Sequence, residues 1–441
     1  MSLEQPPPMG GSWITSDRRV PRLLVRPLRE FLDTEVAGAG VLLAATIVAL
    51  VWANSPLGAS YETLWATKLM IGLGRFVLEE DLRHWVNDGL MVIFFFVIGL
   101  EIKRELVQGE LNELKKAALP AIAAVGGMIV PALIFLALNR GTDAAAGWGI
   151  PMATDIAFAL GALALFGRRV PSSLRVFLLS LAIVDDVGAI LVIALFYSEG
   201  IQAVPLLLAV AGIALVVLMR RVGIWWVPIY VVVGTGIWLA TLISGVHATI
   251  AGVALGLVTP AHPLDPASLE RMPSPQHAGA LWLKPEIARA AKLRVQEAVP
   301  VAERLAHALH PWTSYLVIPV FALANAGVTF GGTGVGEILA SSVTQGVILG
   351  LVVGKVVGIW GFARVAQRMG VVRLPEGISW MQIAAAASFA GIGFTVSLFI
   401  TDLAFSDEPL VSEAKIGILV ASVLAAILGS LLLRISPGKY R

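Results

Sequence analysis

The sequence predicts an all-α membrane protein of twelve transmembrane helices. Three observations carry this. Hydrophobic residues make up 57% of the 441 and charged residues only 14%, whereas a soluble domain keeps about a quarter of its residues charged. The apolar residues gather in runs that reach the roughly 20 residues needed to cross a bilayer. Lysine and arginine, finally, crowd every second connection between those runs.

Twelve runs qualify as spans 1 to 12, in order 36–54, 82–101, 117–139, 147–167, 173–197, 203–219, 222–240, 245–261, 305–328, 339–363, 379–401 and 412–434. Transmembrane strands are rejected, because the runs are too long and lack alternation of period two. With the N-terminus placed in the cytoplasm, 26 of the 32 Lys and Arg residues fall on inner segments, 5 on outer segments, and Lys355 lies inside a span. The positive-inside rule demands such an asymmetry, and one missed span would scramble it. Residues 1–35 then form a cytoplasmic tail carrying Arg18, Arg19, Arg22, Arg26 and Arg29, and 436–441 a short cytoplasmic tail. No short apolar segment with a small-residue cleavage site precedes span 1, so that span is expected to act as an uncleaved anchor.

Two connections are long. The outer loop 55–81 mixes β-branched, aromatic and glycine residues and suits a β-hairpin. Residues 263–304 are rich in proline and charge and read as a cytoplasmic linker dividing eight spans from four. The chain has no cysteine, which excludes a disulfide frame, a thiolate metal site and a catalytic thiol. No phosphate loop or catalytic triad occurs, so neither an enzyme nor direct coupling to ATP is expected.

Charge inside the spans is scarce. A charge at the bilayer centre costs on the order of 3 kcal/mol and implies a partner or a function. Asp155 in span 4, Asp185 and Asp186 in span 5 and Lys355 in span 10 lie deepest. Neighbouring residues on a helix point about 100° apart, so Asp185 and Asp186 border one cavity without facing one point. Two carboxylates that close in a low dielectric resist joint ionisation. Hard cations also choose carboxylate and carbonyl oxygen. One site can thus hold protons or a metal cation in competition. Pairing with Lys355 alone would need only one aspartate.

Asp155 sits in PMATDIAFALG, where Pro151 and the Thr154–Asp155 pair argue against an unbroken helix. Broken helices at mid-membrane leave backbone groups that must face protein or water. Asp155 either offsets the half-helix dipole or ligates a cation with the Thr154 hydroxyl. Lys355 lies too deep to reach water by snorkelling and needs a carboxylate or helix C-terminal carbonyls. Glu101 and Arg104, in GLEIKRE, are a helix end or an acidic lip for cations. His247 lies near an outer helix end. His307 and His310 share a helix face. All three suit pH sensing or plain interfacial packing.

The segments WVNDGLMVIFFFVIGLEIKREL, GWGIPMATDIAFALGALALFG, FLLSLAIVDDVGAI, SGVHATIAGV, LHPWTSYLVIPVFALANAGV and GIGFTVSLFI resemble the NhaA family of bacterial Na⁺/H⁺ antiporters. The resemblance runs from about residue 30 to 435 and implies a twelve-helix transporter domain of residues 36–435. It implies inverted three-helix repeats, spans 3–5 and 10–12, with spans 4 and 11 unwound and crossed at the midplane. It implies an electrogenic, pH-regulated antiporter of the bacterial inner membrane that exports Na⁺ or Li⁺ for external protons, two per cation. It also implies a homodimer through loop 55–81, and neither a resident cofactor nor a nucleic-acid partner. By motif, Asp186 resembles the principal cation and proton carrier, Asp185 its partner, Asp155 and Thr154 the unwound segment, and Lys355 the lysine that offsets helix ends. Glu101 and Arg104, with His247, His307 and His310, match the pH-response cluster. Ala306 stands where the family often carries a glutamate.

A cation channel is the rival reading from another class, but channels want symmetric rings of pore-lining groups and these acids are single copies. A Na⁺-coupled symporter of an organic anion would need a cationic pocket beyond one lysine.

Overall fold

The computed structural model describes residues 35–73, 76–167, 170–198, 200–224, 227–262, 299–329, 335–375 and 377–436. The N-terminal arginines, Arg75, Arg168, Arg169, most of the 263–304 linker and residues 437–441 lie outside the described residues.

Helix α1, Glu35–Ala53, turns by 114° into the short α2, Gly58–Trp65. Strands β1, Lys68–Leu73, and β2, Phe76–Asp81, pair antiparallel with Lys68 opposite Asp81 and Ile71 opposite Leu78. Among the described residues the helical protein therefore carries one small hairpin. Tyr61 is fully buried between Trp52 and Trp65. Its hydroxyl lies 2.9 Å from the carbonyls of Leu323 and Ala324 and accepts from the Gly327 N–H.

Asp81 caps the next helix by accepting the His84 N–H at 2.8 Å. The chain then passes through a π-helical turn, Trp85–Leu90, into α3, Met91–Val107. This helix continues past the end of span 2 at 101, because Glu, Lys and Arg favour helix as readily as the apolar residues before them. Helix α4 spans Leu114–Asn139. Span 4 is a 3₁₀ segment, Asp143–Met152, then an extended stretch and α5, Ile156–Ala164, bent by 42°. Helices α6, Ser172–Phe196, α7, Ala203–Arg221, α8, Val227–Ile243, and α9, Thr249–Val258, follow. Helix α9 is shorter than span 8 at 245–261, since Gly245 turns the chain with φ 79° before it begins.

Beyond the linker, α10, Val301–Trp312, joins α11, Ile318–Asn325, through a π turn at Thr313–Val317. Pro319 has no N–H for the Tyr315 carbonyl, which loosens the ladder there. Helix α12, Ser342–Leu349, runs through another π turn, Gly350–Gly354, into α13, Lys355–Arg368. Span 11 splits into α14, Trp380–Ala390, and α15, Phe394–Ala404, at an angle of 45°. Helix α16, Glu408–Ile435, closes the fold.

Among the described residues, five helices are individually long and apolar enough to cross a membrane, and three bent pairs pass the same test as joined segments. With apolar side chains such as Leu195, Val204, Leu207 and Val232 turned outward, this is the architecture of an α-helical membrane protein. Its core is drawn tight by glycine. A methyl group on Gly126 would lie 2.3 Å from the Gly358 carbonyl oxygen, so α4 and α13 touch backbone to backbone.

Candidate functional site

The two broken helices meet at their breaks. Residues Ala153–Asp155 cross Gly391–Gly393, and the Asp155 N–H donates to the Ile392 carbonyl at 2.6 Å. A methyl on Gly391 would sit 2.3 Å from the Leu351 carbonyl oxygen, and one on Gly393 3.0 Å from the Ala153 carbonyl oxygen. Only glycine allows this approach.

Each break exposes two helix ends of opposite polarity. The N-terminal ends meet Asp155. Its Oδ1 accepts from Phe158 N–H at 3.0 Å, at the start of α5. Its Oδ2 accepts from the Thr395 N–H at 3.0 Å and the Thr395 hydroxyl at 2.6 Å, at the start of α15. One carboxylate thus caps two half-helices. At the C-terminal end of α14, the Thr154 hydroxyl lies 2.8 Å from the Ala390 carbonyl and 2.6 Å from Asp185 Oδ2. Its single proton serves one of them. Ser397 donates to the Ile150 carbonyl at 2.8 Å.

Lys355 enters at this point from the first turn of α13. It is wholly buried, and its Nζ donates to Asp185 Oδ2 at 2.5 Å and to Thr154 Oγ1 at 3.0 Å. Asp185 is 1% exposed, and its Oδ1 is buried without a hydrogen-bond partner among the described residues. Asp186 is 5% exposed and makes no hydrogen bond or short ion pair there. It feels the charges of Asp185, Glu101, Asp155 and Lys355. Two adjacent carboxylates therefore share one lysine, and the lysine is spent on Asp185.

The structure brings Thr154, Asp155, Asp185, Asp186 and Lys355 to one crossing, with Glu101 within electrostatic reach of Asp186. Arg104 lies one turn along α3, 3.8 Å from Glu105. Beside them a cavity of about 320 Å³ is lined by Glu105, Gln108, Glu113, Lys116, Leu179 and Ser180. The histidines are divided. His247 contacts the Tyr197 carbonyl at 2.5 Å, at the far end of α6. His307 and His310 are exposed on α10, at the end of the bundle that holds Arg104. Ala306 packs against the cluster of Leu100, Ala261 and Ala302. Among the described residues, no three His, Asp or Glu side chains gather as a metal site.

Two residues escaped the sequence reading. Thr395 completes the Asp155 cap, and its only signal was its place just after the Gly-Ile-Gly break. Asp402 pairs with Lys415 at 2.9 Å and accepts from Asn87 at 3.2 Å. An aspartate near the end of an apolar run was its signal.

Fold and site together define a polytopic α-helical membrane protein with an ionic centre at the crossing of two broken helices. The chain belongs to the Na⁺/H⁺ antiporter 1 family, the NhaA antiporters, whose family description matches residues 29–433. It is 46% identical over 447 residues to Na(+)/H(+) antiporter NhaA 2 of Sorangium cellulosum (strain So ce56), covering 98% of this chain and 95% of that one. It is 48% identical over 413 residues to the NhaA antiporter of Rhodopirellula baltica, covering 92% and 93%. With NhaA 3 of Frankia alni it shares 46% over 410 residues, covering 92% and 88%.

Proposed function

We propose that this chain exports Na⁺ or Li⁺ in exchange for external protons, by twelve spans with both ends in the cytoplasm of a bacterial inner membrane. Family membership supports the exchange. The observation that carries the site is the pair Asp185–Asp186 beside buried Lys355, because among the described residues it leaves Asp186 and one oxygen of Asp185 without a partner.

Protons and Na⁺ compete for these oxygens. With both aspartates ionised, the charge of Lys355 leaves one negative charge uncompensated in low dielectric, a costly state. A proton or a hard cation on Asp186 removes it. Cation binding at Asp185 Oδ2 also displaces Lys355, and the Asp185–Lys355 pair then gives up a second proton. Two protons inward for one Na⁺ outward moves one net charge, worth about 2.3 kcal/mol per 100 mV. Thr154 and Asp155 frame the site and hold the breaks open to it. A site open to one side at a time couples the fluxes, since each ion biases the state it binds better.

Glu101 and Arg104 flank the inner approach. With His247, His307 and His310 they are proposed to set the pH response, and the outer loop 55–81 to join a second copy. Spans 3–5 and 10–12 are proposed to be the inverted repeats, each with its broken middle helix.

The test is fluorescence dequenching in everted vesicles on addition of Na⁺, Li⁺ or K⁺, from about pH 6 to about pH 9, which brackets histidine and shifted carboxylates. Asp186→Asn should insert normally and exchange nothing. Undiminished Na⁺-driven pH change in that variant would sink the proposal.

A further inference from the structure

On the side of the crossing that leads to the hairpin, α3, α11 and α15 carry two stacked layers. The deeper layer is aromatic. Phe95 of α3, Phe321 of α11 and Phe399 of α15 are at most 3% exposed, with ring centroids 5.2 Å apart for Phe95–Phe399 and 6.3 Å for Phe321–Phe399.

The layer above is polar and uses the same three spans together with α16. Asn87, in the π turn before α3, donates to Asp402 Oδ2 of α15 at 3.2 Å. Asn325 of α11 donates to Asn87 at 2.7 Å, and Lys415 of α16 pairs with Asp402 at 2.9 Å. The registers agree. Phe321 and Asn325 are one turn apart, as are Phe399 and Asp402, and residues at such spacing share a helix face. Thr395, on the same half-helix as Phe399 and Asp402, holds Asp155. The half-helix that builds the site is thus the one tied to Asn87.

We propose that these two layers form the outer gate of the exchanger, an aromatic plug under a polar latch, and that Asp402 must part from Asn87 for the site to face outward. The gate rests on the exchange proposed above. A mobile half-helix needs bonds that release without stranding charge. Lys415 keeps Asp402 paired when Asn87 lets go, so the exchanged bond is a neutral donor against water.

The chain has no cysteine, so thiol chemistry reads the gate directly. Phe95→Cys, placed beneath the latch, is labelled with a membrane-impermeant maleimide from the outer face, with and without Asn87→Ala. Labelling several-fold faster with Asn87→Ala supports the latch, and equal rates overturn it, whether or not the chain exchanges ions. In the second experiment, Asn87→Cys with Asp402→Cys is bridged by a short thiol cross-linker. Bridging should stop Na⁺/H⁺ exchange and reduction should restore it. Exchange that persists in bridged protein overturns the gate. Wild-type vesicles without any exchange would instead sink the proposed function, and the labelling rates then decide the gate alone.

Discussion

Lys355 Nζ and Asp185 Oδ2 stand 2.5 Å apart with both side chains sealed from solvent, and the other oxygen of Asp185 has no partner among the described residues. The pair is therefore poised rather than saturated. It is a buried ion pair whose acid keeps one oxygen unbonded, next to a second acid that has no short ion pair among the described residues.

Breaking this pair from one side should be severe. Lys355→Met leaves a buried carboxylate uncompensated, a change that costs about 3–5 kcal/mol in buried pairs. Thermal unfolding in detergent should show a large drop for Lys355→Met and recovery in Lys355→Met with Asp185→Asn. A double variant as unstable as the single one would mean that Lys355 answers to helix ends and not to Asp185.

Thr395→Val should separate the hydroxyl of the Asp155 cap from its backbone donor. A hydrogen bond to a charged acceptor contributes about 1.5–3 kcal/mol, so the valine variant should lose stability on that scale. Thr395→Ser, which keeps the hydroxyl, should stay near wild type. Equal losses for serine and valine would assign the effect to packing against neighbours rather than to Asp155.

Much of this site was legible in the sequence, because charge within an apolar run needs a reason. That logic found Asp155, Asp185, Asp186 and Lys355. It left open whether Asp155 caps a dipole or ligates a cation, since the answer depends on Thr395, 240 residues away. Tertiary pairing likewise hid Asp402, whose partners Asn87, 315 residues away, and Lys415 lie on other helices. The three histidines looked alike as titrating groups, yet His247 sits at one end of the bundle and His307 and His310 at the other. The hairpin followed from β-branched and aromatic content, but the π turns did not. They arise from packing and from proline, which periodicity does not register.

Asp81 gives the hairpin end a pH dependence with a definite sign. Partial burial raises its proton affinity, but the His84 backbone N–H and ring, with Arg83, outweigh that and hold its carboxyl below the usual range. A group depressed in the folded state stabilises it above the unfolded pKa, and that stability fades as pH falls through the folded value. Unfolding midpoints followed downward through the carboxylate range should therefore fall less steeply in Asp81→Asn than in wild type. Identical slopes would show that the cap on the helix into span 2 is not coupled to protonation.

Glycine at the crossing supplies the last prediction. A methyl on Gly391 would meet the backbone oxygen of Leu351 at 2.3 Å, whereas one on Gly40 of α1 would meet nothing within 4 Å. Backbone cannot swing aside as a side chain can, so Gly391→Ala must push the π turn before Lys355 away from the crossing. Overpacking of this kind costs about 1–3 kcal/mol. It should also cut exchange, because Leu351 is four residues from Lys355. Gly40→Ala should leave the unfolding midpoint and exchange rate unchanged. Were Gly391→Ala to match Gly40→Ala in both measurements, the close approach of the two unwound segments would not be what holds the site in shape.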